Sequence, residues 1–356
     1  MTVPRSPYQD LPEEAFHRTA VLRPSEAALS RLYRPKFDLS VDTPIMTAGS
    51  CFAQHIHKAL KRAGWSVLDG EDLTDILPDD LSKRFGYGTY SARYGNVYTS
   101  RQLLQLVEDA LTKRPRPALV WEHEGRYYDA LRPSVEPEGL ASPLEVQIAR
   151  TEHLRAVRRV IEAAEVLVFT LGQTECWVDK ATNLVLPTAP GTVVGSFDPK
   201  TVRYHNLGFD EVRDDLLCLR DLLSQHGVQT NILLTVSPVP LTATASGRHI
   251  GTASAYSKAV LRAVAGDLAA HHREFDYFPA YEVITSSVAG GPYYKDNLRQ
   301  PTAEGINAVM GIFAAAHHNG FAQADMAMDR TDDEDDTPRA EESVACEEIL
   351  LEAFSR

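Results

Sequence analysis

The sequence of 356 residues lacks the features of several large classes of protein. No apolar run approaches the roughly 20 residues that a helix needs to cross a bilayer, so no membrane contact is expected. The chain begins without a basic stretch followed by an apolar one, which predicts no secretory signal and a cytoplasmic location. Neither a GxGxxG pattern after the first predicted strand nor a P-loop is present, so we expect no nucleotide cofactor.

Cysteine is also scarce. The four cysteines are Cys51, Cys176, Cys218 and Cys346. They are far apart and form no CxxC pair, so a zinc site of the usual spacing is not expected. In a reducing compartment they are expected to be free thiols, of which at most one or two need a chemical role.

Basic residues are outnumbered, with a net charge of −13. Most of this charge lies at the C-terminus, where residues 325–356 carry twelve acidic side chains against three arginines. The rest of the chain is close to neutral and lacks the basic surface that nucleic-acid binding requires. We interpret residues 321–356 as an acidic, disordered tail. Its last residues could form a short helix that either frays or docks on a protein partner.

Short apolar runs alternate with helical stretches through most of the chain. Runs at 43–48, 166–171 and 231–236 predict strands, and the second and third are almost entirely apolar, as strands buried on both faces are. The alternation predicts an α/β protein with a doubly wound parallel sheet between two layers of helices. We assign this domain to residues 41–320 and an N-terminal arm to residues 1–40.

Polar residues follow the predicted strands. They form clusters at 49–51, 172–175 and 237–240, with a further loop that reaches Asp296. In doubly wound sheets ligands bind beyond the carboxyl ends of the strands. We therefore expect one shared pocket, lined by Ser50, Cys51, Thr174, Glu175 and Asp296.

Seven segments resemble the GSCFA family. They are MTAGSCFAQ at 46–54, YSARYGN at 90–96, TLGQTECW at 170–177, HN at 205–206, TVSPVPL at 235–241, YSKAVL at 256–261 and DNLR at 296–299. The resemblance covers roughly residues 40–315. It implies an SGNH-hydrolase-like fold with a mainly parallel, flavodoxin-like sheet, and a place among esterases and O-acyltransferases.

The resemblance also assigns roles to particular residues. In SGNH enzymes the first block is Gly-Asp-Ser, with serine as the nucleophile, and this chain has Cys51 at that position. The third block is Gly-x-Asn-Asp, whose asparagine helps to hold the oxyanion, and Thr174 stands in its place. The last block is Asp-x-x-His, and here Arg299 replaces the histidine. The standard base is therefore missing.

Cys51 is the favoured nucleophile, and Ser50 is the alternative. A thiol in the first turn of a helix faces the positive end of the dipole, which predicts a lowered pKa for Cys51. In the structural interpretation, Ser50 is a helix N-cap worth about 1 kcal/mol, and Cys51 is a small buried residue.

A base must then come from elsewhere. His205, expected in a loop before a helix, is the leading candidate, although a hydrogen-bonded structural histidine is the alternative. His55 lies on the same helical face as Cys51 but beside the turn. Asp296 could orient a histidine, or it could form an ion pair with Arg299.

The remaining candidates concern substrate binding. We assign oxyanion or substrate contacts to Thr174, Gln173, Glu175, Asn96, Arg93 and Arg299. The two arginines could hold an anionic substrate or a coenzyme A phosphate. The sequence thus predicts an esterase or O-acyltransferase acting on a carbohydrate or another polar hydroxyl compound, with acetyl-CoA as a possible donor. The alternative is a non-catalytic protein that keeps the pocket but has lost the base.

Overall fold

The structure is a computed structural model that describes residues 6–317 and 346–355. The strands among these residues are β1 (Ile45–Gly49), β2 (Val120–His123), β3 (Arg126–Asp129), β4 (Val166–Leu171), β5 (Glu175–Asp179), β6 (Val185–Leu186), β7 (Val202–Asn206), β8 (Asn231–Val236) and β9 (Phe275–Tyr277). The α-helices are α1 (Glu26–Ser30), α2 (Cys51–Arg62), α3 (Asp79–Arg84), α4 (Ser100–Leu111), α5 (Pro143–Ala163), α6 (Phe209–Gln225), α7 (Ile250–His271), α8 (Ala280–Thr285) and α9 (Ala303–Ala316).

A parallel sheet forms the centre of the fold, with strand order β1-β4-β8-β9. The two apolar runs at 166–171 and 231–236 are its central strands, which confirms the prediction made from their composition. Every residue of β4 is buried, as expected for a strand covered on both faces.

Helices cover both faces of this sheet. Side chains that alternate along β4 enter different cores: Leu167 and Phe169 join one, and Val166 and Val168 join the other. The first core contains residues of α4, α5, α6 and α7, and the second contains residues of α2, α8 and α9. The predicted three-layer α/β/α sandwich is therefore confirmed.

On its outer side, β1 pairs with the rest of the chain through a single residue pair. Val67 forms a parallel bridge with Ile45, and the backbone bonds on either side are 2.8 Å long. Counting Val67 as a vestigial second strand gives the flavodoxin-like order 2-1-3-4-5. In that order the connections reverse direction between β1 and β4, so the crevice at which such folds bind ligands lies at the ends of these two strands.

A small antiparallel sheet, ordered β6-β5-β7, follows β4 directly. This small sheet was not predicted from the sequence. Its presence corrects the expected position of His205. This residue lies within β7, paired with Cys176 of β5, and not in a loop. Strand β5 alternates only weakly in burial, which explains why its pattern was not recognised as a strand.

Both ends of the described chain pack on the domain. In the N-terminal arm, Tyr33 donates a 2.9 Å hydrogen bond to Asp276. At the other end, residues 346–355, here called the C-terminal segment, contain a 3₁₀-helix over Glu347–Phe354. Most of the predicted disordered tail, residues 321–345, lies outside the described ranges. No helix in the described ranges combines the length and apolar character needed to span a bilayer.

Candidate functional site at the end of the first strand

The turn from β1 into α2 depends on a glycine. Gly49 has φ +147°, and a Cβ atom there would lie 2.6 Å from the carbonyl oxygen of Thr170 on β4. The next residue, Ser50, donates its N–H to that same oxygen at 3.2 Å. Only glycine allows β1 and β4 to approach so closely. The turn therefore places Cys51 at the first position of α2, as predicted.

Ser50 occupies the N-cap position, but its side chain does not cap the helix. Its hydroxyl is buried and has no hydrogen-bond partner in the described part of the chain. Its carbonyl oxygen accepts a bond from the Tyr90 hydroxyl at 3.0 Å. The expected cap contribution from Ser50 is therefore absent, and Ser50 lines the space beside Cys51.

A second glycine brings the loop after β4 against this turn. A Cβ atom on Gly172 would lie 2.8 Å from the Cβ of Ser50 and 3.0 Å from the carbonyl oxygen of Tyr98. That carbonyl accepts the N–H groups of Gly172 and Gln173, at 3.0 and 3.1 Å. Neither N–H is then available to an oxyanion, whereas the first turn of a helix such as α2 leaves backbone N–H groups without a partner within the helix.

The space beside the thiol is small. Its volume is about 10 Å³, which is enough for no more than one water molecule. Its walls are formed by Ser50, Cys51, Tyr98, Gly172, Gln173, Ser237, Val239, Leu241 and Glu348. Of these, Glu348 belongs to the C-terminal segment, so this segment closes the cavity.

A larger cavity of about 170 Å³ lies next to the first. Gln173, Leu241 and Glu348 line both. Its own walls include Glu175, whose carboxylate accepts a 2.7 Å bond from Thr244, and the indole of Trp177.

Arg299 faces the C-terminal segment. Its guanidinium lies 3.4 Å from the carboxylate of Glu348 and 4.0 Å from that of Glu352, and its side chain is only 11% exposed. Asp296, by contrast, is exposed. The described ion pairs of Arg299 are thus to the C-terminal segment and not to Asp296, the partner considered from the sequence.

Glu347 fixes the segment to the body of the protein. One carboxylate oxygen accepts hydrogen bonds from the Asn96 side-chain amide and, at 2.8 Å, from the Tyr98 hydroxyl. The other accepts a 2.6 Å bond from Ser134. Asn96, which was assigned to substrate binding, therefore holds Glu347 in this arrangement.

The charges around Cys51 differ from the sequence expectation. A hydrogen bond with the Cys346 thiol and burial raise the pKa of Cys51 well above its ordinary value, although Arg299 acts in the opposite direction. The predicted low pKa is therefore wrong for this arrangement, because helix position alone ignores the neighbouring thiol. Burial also raises the pKa of Glu348 to about 7 and lowers that of Lys258 to about 8.

Several predicted residues are used elsewhere. His205 bonds Glu211 at 2.7 Å, and Glu211 in turn accepts the N–H of Gly208 at the start of α6, so this histidine supports a helix end. Arg93 bonds Glu136 at 2.8 Å and lies over the Tyr87 ring.

Two more candidates stand apart from the cavities. Thr174 is fully buried and donates its N–H to Ser257, and His55 is a half-buried residue of α2. Neither they nor Asp296 are among the residues that line the two cavities described above.

Some residues at the site were missed. Lys258 is buried and donates a 2.6 Å bond to the Gly172 carbonyl. It lies in the matched segment 256–261, where a lysine among apolar residues was an available signal. Cys346 and Glu348 could not be found in this way, because they were counted in the acidic tail. Among the described residues, no group of three or more His, Cys, Asp or Glu side chains is placed to hold a metal ion.

The family model described as the GSCFA family matches residues 44–313. The chain belongs to the GSCFA family. No curated protein matches it. Among solved structures, it is similar to a GDSL-like lipase from Bacteroides thetaiotaomicron, at 13% identity over 83% of this chain and 96% of the other, with a TM-score of 0.34.

Proposed function

We propose that this GSCFA protein is an acyl-handling enzyme, an esterase or O-acyltransferase, with Cys51 as its nucleophile. The observation that carries the proposal is the position of Cys51 at the start of α2, at the crevice between β1 and β4. Nucleophiles presented there face the N–H groups of a helix start, which can stabilise a developing oxyanion.

The replacement of histidine by Arg299 fits a thiol and not a hydroxyl. A serine must lose its proton to a base during attack, whereas a cysteine needs only to be held as a thiolate. The charge of Arg299 favours the Cys51 thiolate, although the Cys346 thiol and burial outweigh it while the C-terminal segment is docked. With the C-terminal segment away, Glu348 would no longer neutralise this arginine. The Gly-Ser-Cys turn and Arg299 are thus both consistent with a thiol nucleophile.

In the proposed reaction the Cys51 thiolate attacks the carbonyl carbon of an ester or thioester. The new C–S bond holds the acyl group as a thioester, and the leaving group departs after taking a proton from solvent. A hydroxyl of the acceptor, or water, then attacks the thioester and gives up its proton to solvent, and the C–S bond breaks to release the thiolate. The 170 Å³ cavity, with Trp177 and Glu175, supports a polar hydroxyl compound such as a sugar as acceptor. Acetyl-CoA is a donor of the required chemistry.

A binding protein is the second candidate. The observation in its favour is the 10 Å³ space beside Cys51, which admits no acyl group while the C-terminal segment is docked. Such a protein would use the larger cavity alone and would not form a covalent intermediate.

The test is intact-mass measurement after exposure to p-nitrophenyl acetate and, separately, to acetyl-CoA. We expect one acetyl group on the peptide that contains Cys51, and none in the Cys51→Ser variant. Cys218→Ser, which changes an exposed thiol, is the matched control and should be acetylated like the wild type. Arg299→Gln should slow acetylation, because the charge of Arg299 favours the thiolate form of Cys51. Absence of any adduct on Cys51 with both donors would favour the binding protein.

A further inference from the structure

A second thiol lies beside the candidate nucleophile. Cys346 is the first residue of the C-terminal segment, and its sulfur lies 4.0 Å from the Tyr98 hydroxyl. Tyr98 and Cys51 both line the 10 Å³ space, as does Glu348, two residues after Cys346. The two thiols lie close enough to shift each other's pKa, although they are 295 positions apart in the sequence. Cys176, by contrast, is buried on β5, and Cys218 is exposed on α6.

The contact is fixed by the residues that follow Cys346. Glu347 receives hydrogen bonds from three side chains of the body, and Glu348 forms an ion pair with Arg299. Four polar contacts over two residues define the position of the segment at its beginning. These contacts of Glu347 and Glu348 hold Cys346 beside Cys51. The position of Cys346 therefore does not depend on a free chain end.

The two thiols are also unequal. The Cys51 thiol and the charge of Arg299 lower the pKa of Cys346, whereas burial acts in the opposite direction. A thiol with a lowered pKa beside a second thiol is the arrangement in which one sulfur reacts with an oxidant and the other resolves the product. To form a disulfide the two sulfurs must approach to roughly 2.05 Å.

We propose that Cys51 and Cys346 are a redox modification site, at which a hydroperoxide converts the thiol pair into a reversible disulfide. The Cys346 thiolate attacks one peroxide oxygen, the O–O bond breaks, and Cys346 becomes a sulfenic acid while water or an alcohol leaves. Cys51 then loses its proton, its sulfur attacks that of Cys346, and the S–O bond breaks to release water. Two thiols lose two electrons, and the peroxide gains them.

The disulfide has a direct consequence for the site. In the disulfide the Cys51 sulfur is no longer a free nucleophile. The C-terminal segment is also covalently fixed across the 10 Å³ cavity, which closes its entrance. Formation of the bond depends only on the proximity of the two thiols. Its control of activity rests on the proposed function, because only a catalytic Cys51 would be silenced by it.

The experiment uses the full-length chain. Protein reduced with a phosphine and freed from it is exposed to increasing hydrogen peroxide, quenched with N-ethylmaleimide, and digested for peptide mass analysis. We expect a peptide pair linked through Cys51 and Cys346 that becomes the main form of both, and that dithiothreitol returns to the separate thiols. Cys176 and Cys218 should remain reduced at the same peroxide concentration.

Variants make the assignment specific. Cys346→Ser should abolish the linked pair, whereas Cys218→Ser should form it as the wild type does. If Cys346→Ser fails to fold, the wild-type peptide map still decides the question. Separate maleimide adducts on Cys51 and Cys346 after peroxide, their conversion to sulfinic acids without linkage, or links to Cys218 instead would each overturn the proposal. Because no substrate is used, this result is independent of acetylation of Cys51.

Discussion

The two walls of the candidate site differ in how their residues are brought together. One wall, the turn formed by Gly49, Ser50 and Cys51, consists of three consecutive residues between a strand and a helix. The opposite wall joins Arg299 to the C-terminal segment, across about 50 positions of sequence. The first wall is determined by local sequence and close backbone packing, and the second by side-chain contacts between distant segments. Their responses to substitution should therefore differ.

The largest effect is expected at the turn. In Gly49→Ala the new methyl group meets the Thr170 backbone at 2.6 Å, and the residue keeps a backbone conformation that favours glycine. Overpacking and strain together should lower the free energy of unfolding by about 2–5 kcal/mol. Urea unfolding measures this. Gly311→Ala is the matched control: it lies inside α9 with open space around it, so a gain of about 0.5–1 kcal/mol is expected. Equal effects of the two variants would contradict the role of Gly49.

The opposite wall should open without loss of the fold. Glu347→Ala removes a carboxylate that accepts three hydrogen bonds, and bonds of this kind are worth about 1.5–3 kcal/mol in docking free energy. We expect Cys346 to react with N-ethylmaleimide roughly 10- to 150-fold faster at fixed pH. Glu352→Ala, at a side chain that is 61% exposed, should change the rate little. An unchanged rate in Glu347→Ala would show that the segment is not held by this residue.

The stability that His57 contributes between α2 and β1 should decrease in acid. His57 on α2 is buried and bonds the Thr47 hydroxyl of β1 at 2.7 Å, and burial lowers the pKa of His57 to about 3. The unfolded chain takes up this proton near pH 6.5, so the stabilisation is complete above that pH and is lost as pH falls toward 3. Between pH 7.5 and 5.0 the loss from this residue should be about 2 kcal/mol.

Urea unfolding at the two pH values, in wild type and in two variants, measures the contribution of this histidine. His57→Gln should lose about 2 kcal/mol less than the wild type on acidification. His123→Gln, which changes an exposed residue of β2, should show the full loss. Identical pH dependence in all three proteins would assign the acid sensitivity to other groups.

The same contrast explains what could be predicted from the sequence. The central strands were recognisable because their burial is recorded in their own composition, as in the run from Val166 to Leu171. The position of Cys51 was recognisable because a strand, a glycine and a helix start follow one another. Strands β5 and β7 were not, since half-exposed strands lack both a clear alternation and an apolar run.

The chemistry of the site was harder to predict for a related reason. The choice between Asp296 and Glu348 as partner of Arg299 depends on how distant segments pack, and a carboxylate three residues away was the nearer candidate in sequence. The pKa of Cys51 was misjudged because the helix start is local, whereas the thiol that reverses its effect comes from the far end of the chain. An acidic composition gave no indication that the last residues dock.

The smallest effect is expected for Ser50→Ala. A serine at an N-cap usually contributes about 1 kcal/mol through its side chain. Here the side chain makes no capping bond, and its buried hydroxyl has no partner among the described residues. Replacing an unsatisfied buried hydroxyl by hydrogen removes a desolvation cost and can be neutral or stabilising. We therefore expect a change of less than about 0.5 kcal/mol in urea unfolding.

The change in unfolding free energy for Ser50→Ala should be compared with that for Thr99→Ala. Thr99 caps α4, its hydroxyl accepts the Gln102 N–H, and the Gln102 side chain reciprocates in a capping box. Its removal should cost about 1 kcal/mol. If Ser50→Ala costs as much as Thr99→Ala, the Ser50 side chain caps α2 in solution. A smaller cost is the expected result, and it would confirm that this side chain makes no capping bond.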